Sequence, residues 1–144
     1  MEIITQSAQE TQKLGEKIGR DLKASLSTDK RVVALYGELG GGKTTFIQGL
    51  AKGLGIKKRI LSPTFVFVRQ YPLTKGIFHH VDLYRINNLT DAKGLGLEEI
   101  FVDSEAIVAI EWAERIKEIL PEERIDIYFE YLGEEKRKIK IIKS

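Results

Sequence analysis

Residues 31–55 read RVVALYGELGGGKTTFIQGLAKGLG, and three parts of that stretch decide the fold. Val32–Tyr36 is a continuous apolar run without polar alternation, as expected of a strand covered on both faces within a parallel sheet. Residues 43–54 read as an amphipathic helix, with Gly55 as a left-handed stop. Between the two lie Gly37, four residues, Gly42, Lys43 and Thr44, which match G-x-x-x-x-G-K-[ST] with a strand before and a helix after.

That order of elements has a chemical reason. Glycines allow a backbone path that turns several N–H groups inward, and the helix start adds the positive end of its dipole. Gly37, Glu38, Leu39, Gly40, Gly41, Gly42, Lys43, Thr44 and Thr45 are therefore expected to line a nucleotide's phosphates. Lys43 would reach the β- and γ-phosphates, and Thr44 would offer its hydroxyl to Mg²⁺.

A phosphate loop of this kind needs an acid at the carboxyl end of a neighbouring strand. Glu111 follows the apolar run AIVAI at once, so a central strand would place it beside the loop; its plainer role is to begin the next helix. Asp82, in IFHHVDLYR, reads as lying on an outer strand, where a surface position or an ion pair with Arg85 is as reasonable as a site. Trp112 either stacks on a base or fills the core, and core is the simpler reading. His79 and His80, as strand neighbours, face opposite ways, one toward the core and one toward solvent, which argues against a histidine-bound metal.

Size and composition narrow the classes. The chain has 144 residues, 42% of them apolar and 31% charged, which suits one soluble domain spanning residues 1–144. Lys and Arg number 23 against 21 Asp and Glu, and a net charge of +2 is too small to imply nucleic-acid binding by field alone. Absence of cysteine excludes thiol catalysis and cysteine-ligated zinc. No apolar run is long enough to span a membrane, and the N-terminus lacks a secretory pattern, so a cytoplasmic protein without membrane association is expected.

Outside the loop, EIIT reads as a strand and Ser7–Glu10 as a capping box opening a helix to about Ser25, with Leu14, Ile18 and Leu22 on one stripe. FVFVRQYPL and GIFHHVDLYR form a hairpin about a Thr-Lys-Gly turn. Residues 91–102 read as one helix, AIVAIEW as a strand, and a helix from Ala113 stops near Pro121. IDIYFEYL and KIKII make a second hairpin, its last strand an edge with lysines outward. The sum is a three-layer α/β domain with a mixed, mainly parallel central sheet plus antiparallel hairpins.

The base and the reaction class follow by exclusion. Asn88-Leu-Thr-Asp91 lacks the lysine of a guanine-reading N-K-x-D, and Asp91-Ala-Lys-Gly94 follows polar residues, so ATP is expected over GTP. A small-molecule or nucleotide kinase is the alternative, but no lid-sized insertion with several arginines is visible between Lys57 and Arg85. Hydrolysis coupled to a partner fits better.

Five stretches in order, GELGGGKTTF, SPTF at 62–65, HVDLYR at 80–85, GLEEIF at 96–101 and IEWAER at 110–115, resemble the bacterial TsaE family across essentially the whole chain. The resemblance implies a P-loop ATPase acting with TsaB and TsaD in threonylcarbamoyl-adenosine formation at position 37 of tRNA, weakly active alone and touching tRNA only through the complex. It implies ATP on residues 37–45, Thr64 on a switch-like loop near the γ-phosphate, Asp82 as an acid needed for hydrolysis, Glu111 as the Mg²⁺-side carboxylate and Trp112 near the nucleotide. Gly41 departs from the alanine frequent in that family. Arg85 and Arg115 are candidates for an arginine finger, and neither is singled out.

Overall fold

The computed structural model describes residues 1–24, 31–38, 42–58, 60 and 67–143. Its centre is a sheet of seven strands: β1 (Glu2–Thr5), β2 (Val32–Tyr36), β3 (Val68–Pro72), β4 (Ile77–Asp82), β5 (Ala106–Glu111), β6 (Ile125–Gly133) and β7 (Lys136–Lys143). They lie in the order β1-β7-β6-β2-β5-β4-β3. β6, β2, β5 and β4 pair in parallel, and antiparallel partners flank them at both sides. The mixed sheet, mainly parallel in strand direction, is as the sequence led us to expect.

Strand parity divides the core into two layers. Val33 and Leu35 of β2, Ile107 and Ala109 of β5, and Ile125, Ile127 and Phe129 of β6 meet helices α1 (Ala8–Ala24) and α2 (Lys43–Gly53). Val32, Ala34 and Tyr36, with Val108 and Ile110, face the opposite way. There they meet the short helices α3 (Leu89–Lys93) and α4 (Leu97–Val102) and a 3-10 segment, Ala113–Ile119. All five residues of β2 are buried, as a strand sandwiched between two helical layers must be.

The start of α1 follows the expected capping box with one change. Glu10 N donates to Ser7 Oγ at 3.2 Å, whereas the Glu10 carboxylate reaches back one residue further, to Gln6 N. The stripe Leu14, Ile18 and Leu22 packs inward. Beside it α1 and α2 meet almost backbone to backbone, at Gly15 and Gly19 on one helix and Gly49 and Gly53 on the other. A Cβ on Gly49 would lie 1.9 Å from Gln12 O. This seam fixes α2, and with it Lys43 and Thr44 at its start, against the rest of the layer.

Four expectations are corrected. β4 is internal, because β3 caps it, and both His79 and His80 are buried; neither reaches solvent. The region 91–102 is two helices, separated where Gly96 adopts φ 71° and becomes the N-cap of α4. The segment after Trp112 is 3-10 rather than α, with Ile116 at non-helical angles. β7 is not an edge: β1 covers it, and β1 and β3 are the outer strands. Among the described residues no helix is long and apolar enough to cross a membrane.

Candidate functional site

β2 delivers the chain to Gly37, whose φ of 138° lies outside the range of ordinary side chains. A Cβ there would also press on Phe129 O at 2.7 Å, so glycine is required twice over. Gly42 (φ 96°) forms the left-handed N-cap of α2, and Phe46 N donates to its carbonyl at 2.9 Å. Lys43 and Thr44 thus open the helix, with Phe46 and Ile47 fully buried beneath them. The Phe46 ring meets Phe129 edge-on at 5.5 Å, which ties the loop's helix to β6. Glu38 and Thr45 lie on either side of this turn; Leu39, Gly40, Gly41 and Thr64 lie outside the described residues.

The facing acids come from the adjacent strands. β5 is the parallel neighbour of β2, pairing Leu35 with Glu111, and β4 pairs Asp82 with Glu111. Glu111 and Asp82 fall on the parity that looks toward α2. Both are buried, 4% and 8% exposed, too enclosed for the surface role open to Asp82 from sequence. Thr44 Oγ1 and Glu111 Oε1 are 3.5 Å apart, a long contact across which a small ion would fit between hydroxyl and carboxylate. Glu111 Oε2 is held by His80 Nε2 at 2.8 Å. Asp82 Oδ1 accepts from Tyr84 N at 3.0 Å, which turns the chain away after β4.

Lys43 is buried at 4% exposure and donates to the Gly37 carbonyl. Its ammonium also sits 4.0 Å over the Trp112 ring. Burial lowers its pKa, while Glu111, Glu114 and Asp82 pull the other way. Burial raises the Asp82 pKa against the Tyr84 amide, which stabilises the anion, and Glu111 adds to the rise. Trp112, at a left-handed φ of 61°, is half-buried: one side packs on the second core layer and the other meets Lys43, Tyr84 at 5.3 Å and Arg115 at 5.5 Å. The core reading holds for the first side, and the second lies beside Lys43.

Among the described residues, the Lys43 ammonium, the Thr44 hydroxyl and the Asp82 and Glu111 carboxylates come together at the start of α2. Among the described residues no cluster of three His, Asp or Glu side chains is arranged to hold an ion alone. Thr44 Oγ1 and Glu111 Oε1 offer the one or two protein oxygens that a magnesium ion takes when phosphates and water fill the rest of its shell. Sequence reasoning missed two neighbours. His80 carried a usable signal, since it shares strand parity with Asp82. Arg137, whose Cγ and Nε would lie 3.6 Å from a Cβ at Gly42, comes from the distant β7 and gave none.

Comparisons with known proteins identify the family. The family model described as "Threonylcarbamoyl adenosine biosynthesis protein TsaE" matches residues 5–139. The tRNA threonylcarbamoyladenosine biosynthesis protein TsaE of Aquifex aeolicus is 39% identical over 145 residues, covering 99% of this chain and 96% of the relative. Its Treponema pallidum namesake is 37% identical, covering 98% and 99%, and that of Bacillus subtilis 38%, covering 82% and 73%. The crystal structure of Bacillus subtilis YdiB superposes with a TM-score of 0.72 at 34% identity, over 96% of this chain and 82% of that one. Loop, sheet order and family match converge: the chain belongs to the TsaE family.

Proposed function

We propose that residues 1–144 form one ATP-binding and ATP-hydrolysing domain that serves tRNA threonylcarbamoyladenosine formation by acting on a TsaB–TsaD complex in the cytoplasm and permitting its multiple turnover. The observation that carries the reading is the meeting of Thr44, at the start of α2, with Glu111, 3.5 Å apart, with Lys43 buried beside Glu111 and Asp82 and bonded to the Gly37 carbonyl. Names shared by the relatives above support the pathway.

In this reading residues 37–45 bind the phosphates through backbone amides, and Lys43 leaves the Gly37 carbonyl to neutralise charge on the β- and γ-phosphates. Thr44 and Glu111 would hold Mg²⁺, which when bound would supply Lewis-acid stabilisation of phosphate charge. Asp82, kept from full solvation, serves the attacking water by orienting it or accepting its proton. Trp112 covers the lysine side of the pocket. Thr64 serves the γ-phosphate, as the family resemblance implies. The γ-phosphoryl passes to water, giving ADP and inorganic phosphate, which requires no acceptor pocket and no side-chain nucleophile, and tRNA is met only through the partners.

The test is phosphate release from ATP with Mg²⁺, alone and with purified TsaB and TsaD, alongside multiple-turnover tRNA modification. Lys43→Ala, Asp82→Ala and Glu111→Ala should each lower turnover on the order of 100-fold or more. Normal hydrolysis by Glu111→Ala at unchanged Mg²⁺ dependence would overturn the metal assignment. Recovery of the γ-phosphate on an organic acceptor would instead establish a kinase.

A further inference from the structure

His80 lies on the strand face that looks toward α2, fully buried at 0% exposure, with Nε2 2.8 Å from Glu111 Oε2. Its Nδ1 is also buried and has no hydrogen-bond partner among the described residues. That pattern sets the tautomer of the neutral ring. A proton on Nδ1 would be an orphan donor costing about 1–3 kcal/mol and would turn a bare Nε2 lone pair toward a carboxylate. With the proton on Nε2, the ring donates to Oε2 and leaves only an acceptor unsatisfied. Glu111 is then divided between two tasks: Oε2 is tied to His80, and Oε1 points to Thr44 Oγ1 at 3.5 Å.

We propose that His80 is a positioning residue that makes Glu111 a one-oxygen ligand and thereby favours Mg²⁺ over Ca²⁺ in the nucleotide complex. The inference rests on the metal role of Glu111 proposed above. Its chemical basis is that Mg²⁺ demands a compact octahedral shell, in which a carboxylate gives one oxygen. Ca²⁺ accepts the same carboxylate through both oxygens at longer distances. A donor on Oε2 blocks the second mode and holds the carboxylate in the plane that suits the first. His80 parity with Asp82 along β4 puts the donor under the acids without crowding the loop mouth.

The test measures binding of a non-hydrolysable ATP analogue by calorimetry as Mg²⁺ or Ca²⁺ is titrated, so turnover is not the readout. His80→Leu and His80→Asn should weaken Mg²⁺-supported binding about 10- to 100-fold and Ca²⁺-supported binding much less. His80→Gln, whose amide nitrogen falls near the position of Nε2, should stay within about threefold of the parent. The Gln–Asn contrast decides the matter if the leucine variant does not fold, since both are polar and of similar size. Equal losses for the two ions, or a glutamine variant no better than asparagine, would overturn the proposal. Glu111→Gln separates it from the reading beneath it. If that variant loses its Mg²⁺ dependence while every His80 variant keeps it, the metal site stands and His80 has no part in it. If the parent binds no better with Mg²⁺ than with chelator, the metal site itself is wrong.

Discussion

Replacing Gly49 by alanine tests whether the backbone seam between α1 and α2 is as close as described. The added Cβ would lie 1.9 Å from Gln12 O and 2.8 Å from Gln12 C, whereas real Cβ atoms essentially never come within 3.0 Å of another heavy atom. The obstacle is main chain, so no side chain can swing aside; the helices must part. Gly15, Gly19 and Gly53 make similarly close approaches along the same seam, and parting at one opens gaps at the others. Overpacking of this kind costs about 1–3 kcal/mol, and a backbone obstacle belongs at the upper end. Alanine returns about 1 kcal/mol because it is the better helix former. The balance is a loss of about 1–2 kcal/mol, which for a chain of this size is a fall in Tm of about 2–8 °C. Gly94→Ala is the control, because φ there is −70° and the nearest atom to its Cβ is 3.8 Å away; it should gain about 0.4–1 kcal/mol. Thermal unfolding followed by circular dichroism reads both. A Gly49→Ala protein melting at or above the parent temperature would refute the seam.

Three further outcomes follow from the site and its supports. Because burial raises the Asp82 pKa above its ordinary 3.8, the folded state holds that proton more tightly, and stability declines as pH rises from about 3.8 through the folded value; Asp82→Asn keeps the acceptor for Tyr84 N and escapes the decline. Urea unfolding without nucleotide or Mg²⁺ should therefore show the variant gaining on the parent as pH rises from about 3.8 through the folded value, then levelling; a constant difference would contradict the buried charge. Trp112 is the sole tryptophan and carries the Lys43 ammonium at 4.0 Å, so its emission should change when ATP draws the lysine away, and Lys43→Ala should abolish that change; an undiminished response in the variant argues that Lys43 stays put. Tyr36 Oη donates to buried Asp126 Oδ1 at 2.9 Å, an oxygen that also accepts from Arg124. Tyr36→Phe should cost about 1–2 kcal/mol of stability with ATP affinity within about twofold, checked by chemical denaturation and calorimetry.

Where local pattern and tertiary demand coincide, the sequence is easy to read. Val32–Tyr36 and Ala106–Glu111 are apolar almost throughout because helices cover both faces, and an unbroken apolar run of strand length between turn residues fits little else. The loop is legible because its chemistry needs particular residues at fixed spacing. Asp82 and His80 misled for one physical reason: alternation on β4 looked like an outer strand, but the site places buried polar groups beside Glu111 at what would otherwise be apolar positions. The helix expected over 91–102 failed at Gly96, whose left-handed conformation serves a new N-cap rather than a helix interior. Arg137 shows the remaining limit, since its approach to Gly42 depends on how a terminal hairpin folds back from the far end of the chain, beyond any local spacing.

The glycine seam has a mechanical consequence. With main chain resting on main chain, α1 and α2 have no soft side-chain cushion that would let one glide along the other. Lys43 and Thr44 are thus mounted on a splinted pair anchored through α1 to the N-terminal part of the molecule. In the proposed cycle, loading and discharging the nucleotide would leave this floor in place, and any movement that a partner senses would arise from walls built by other strands.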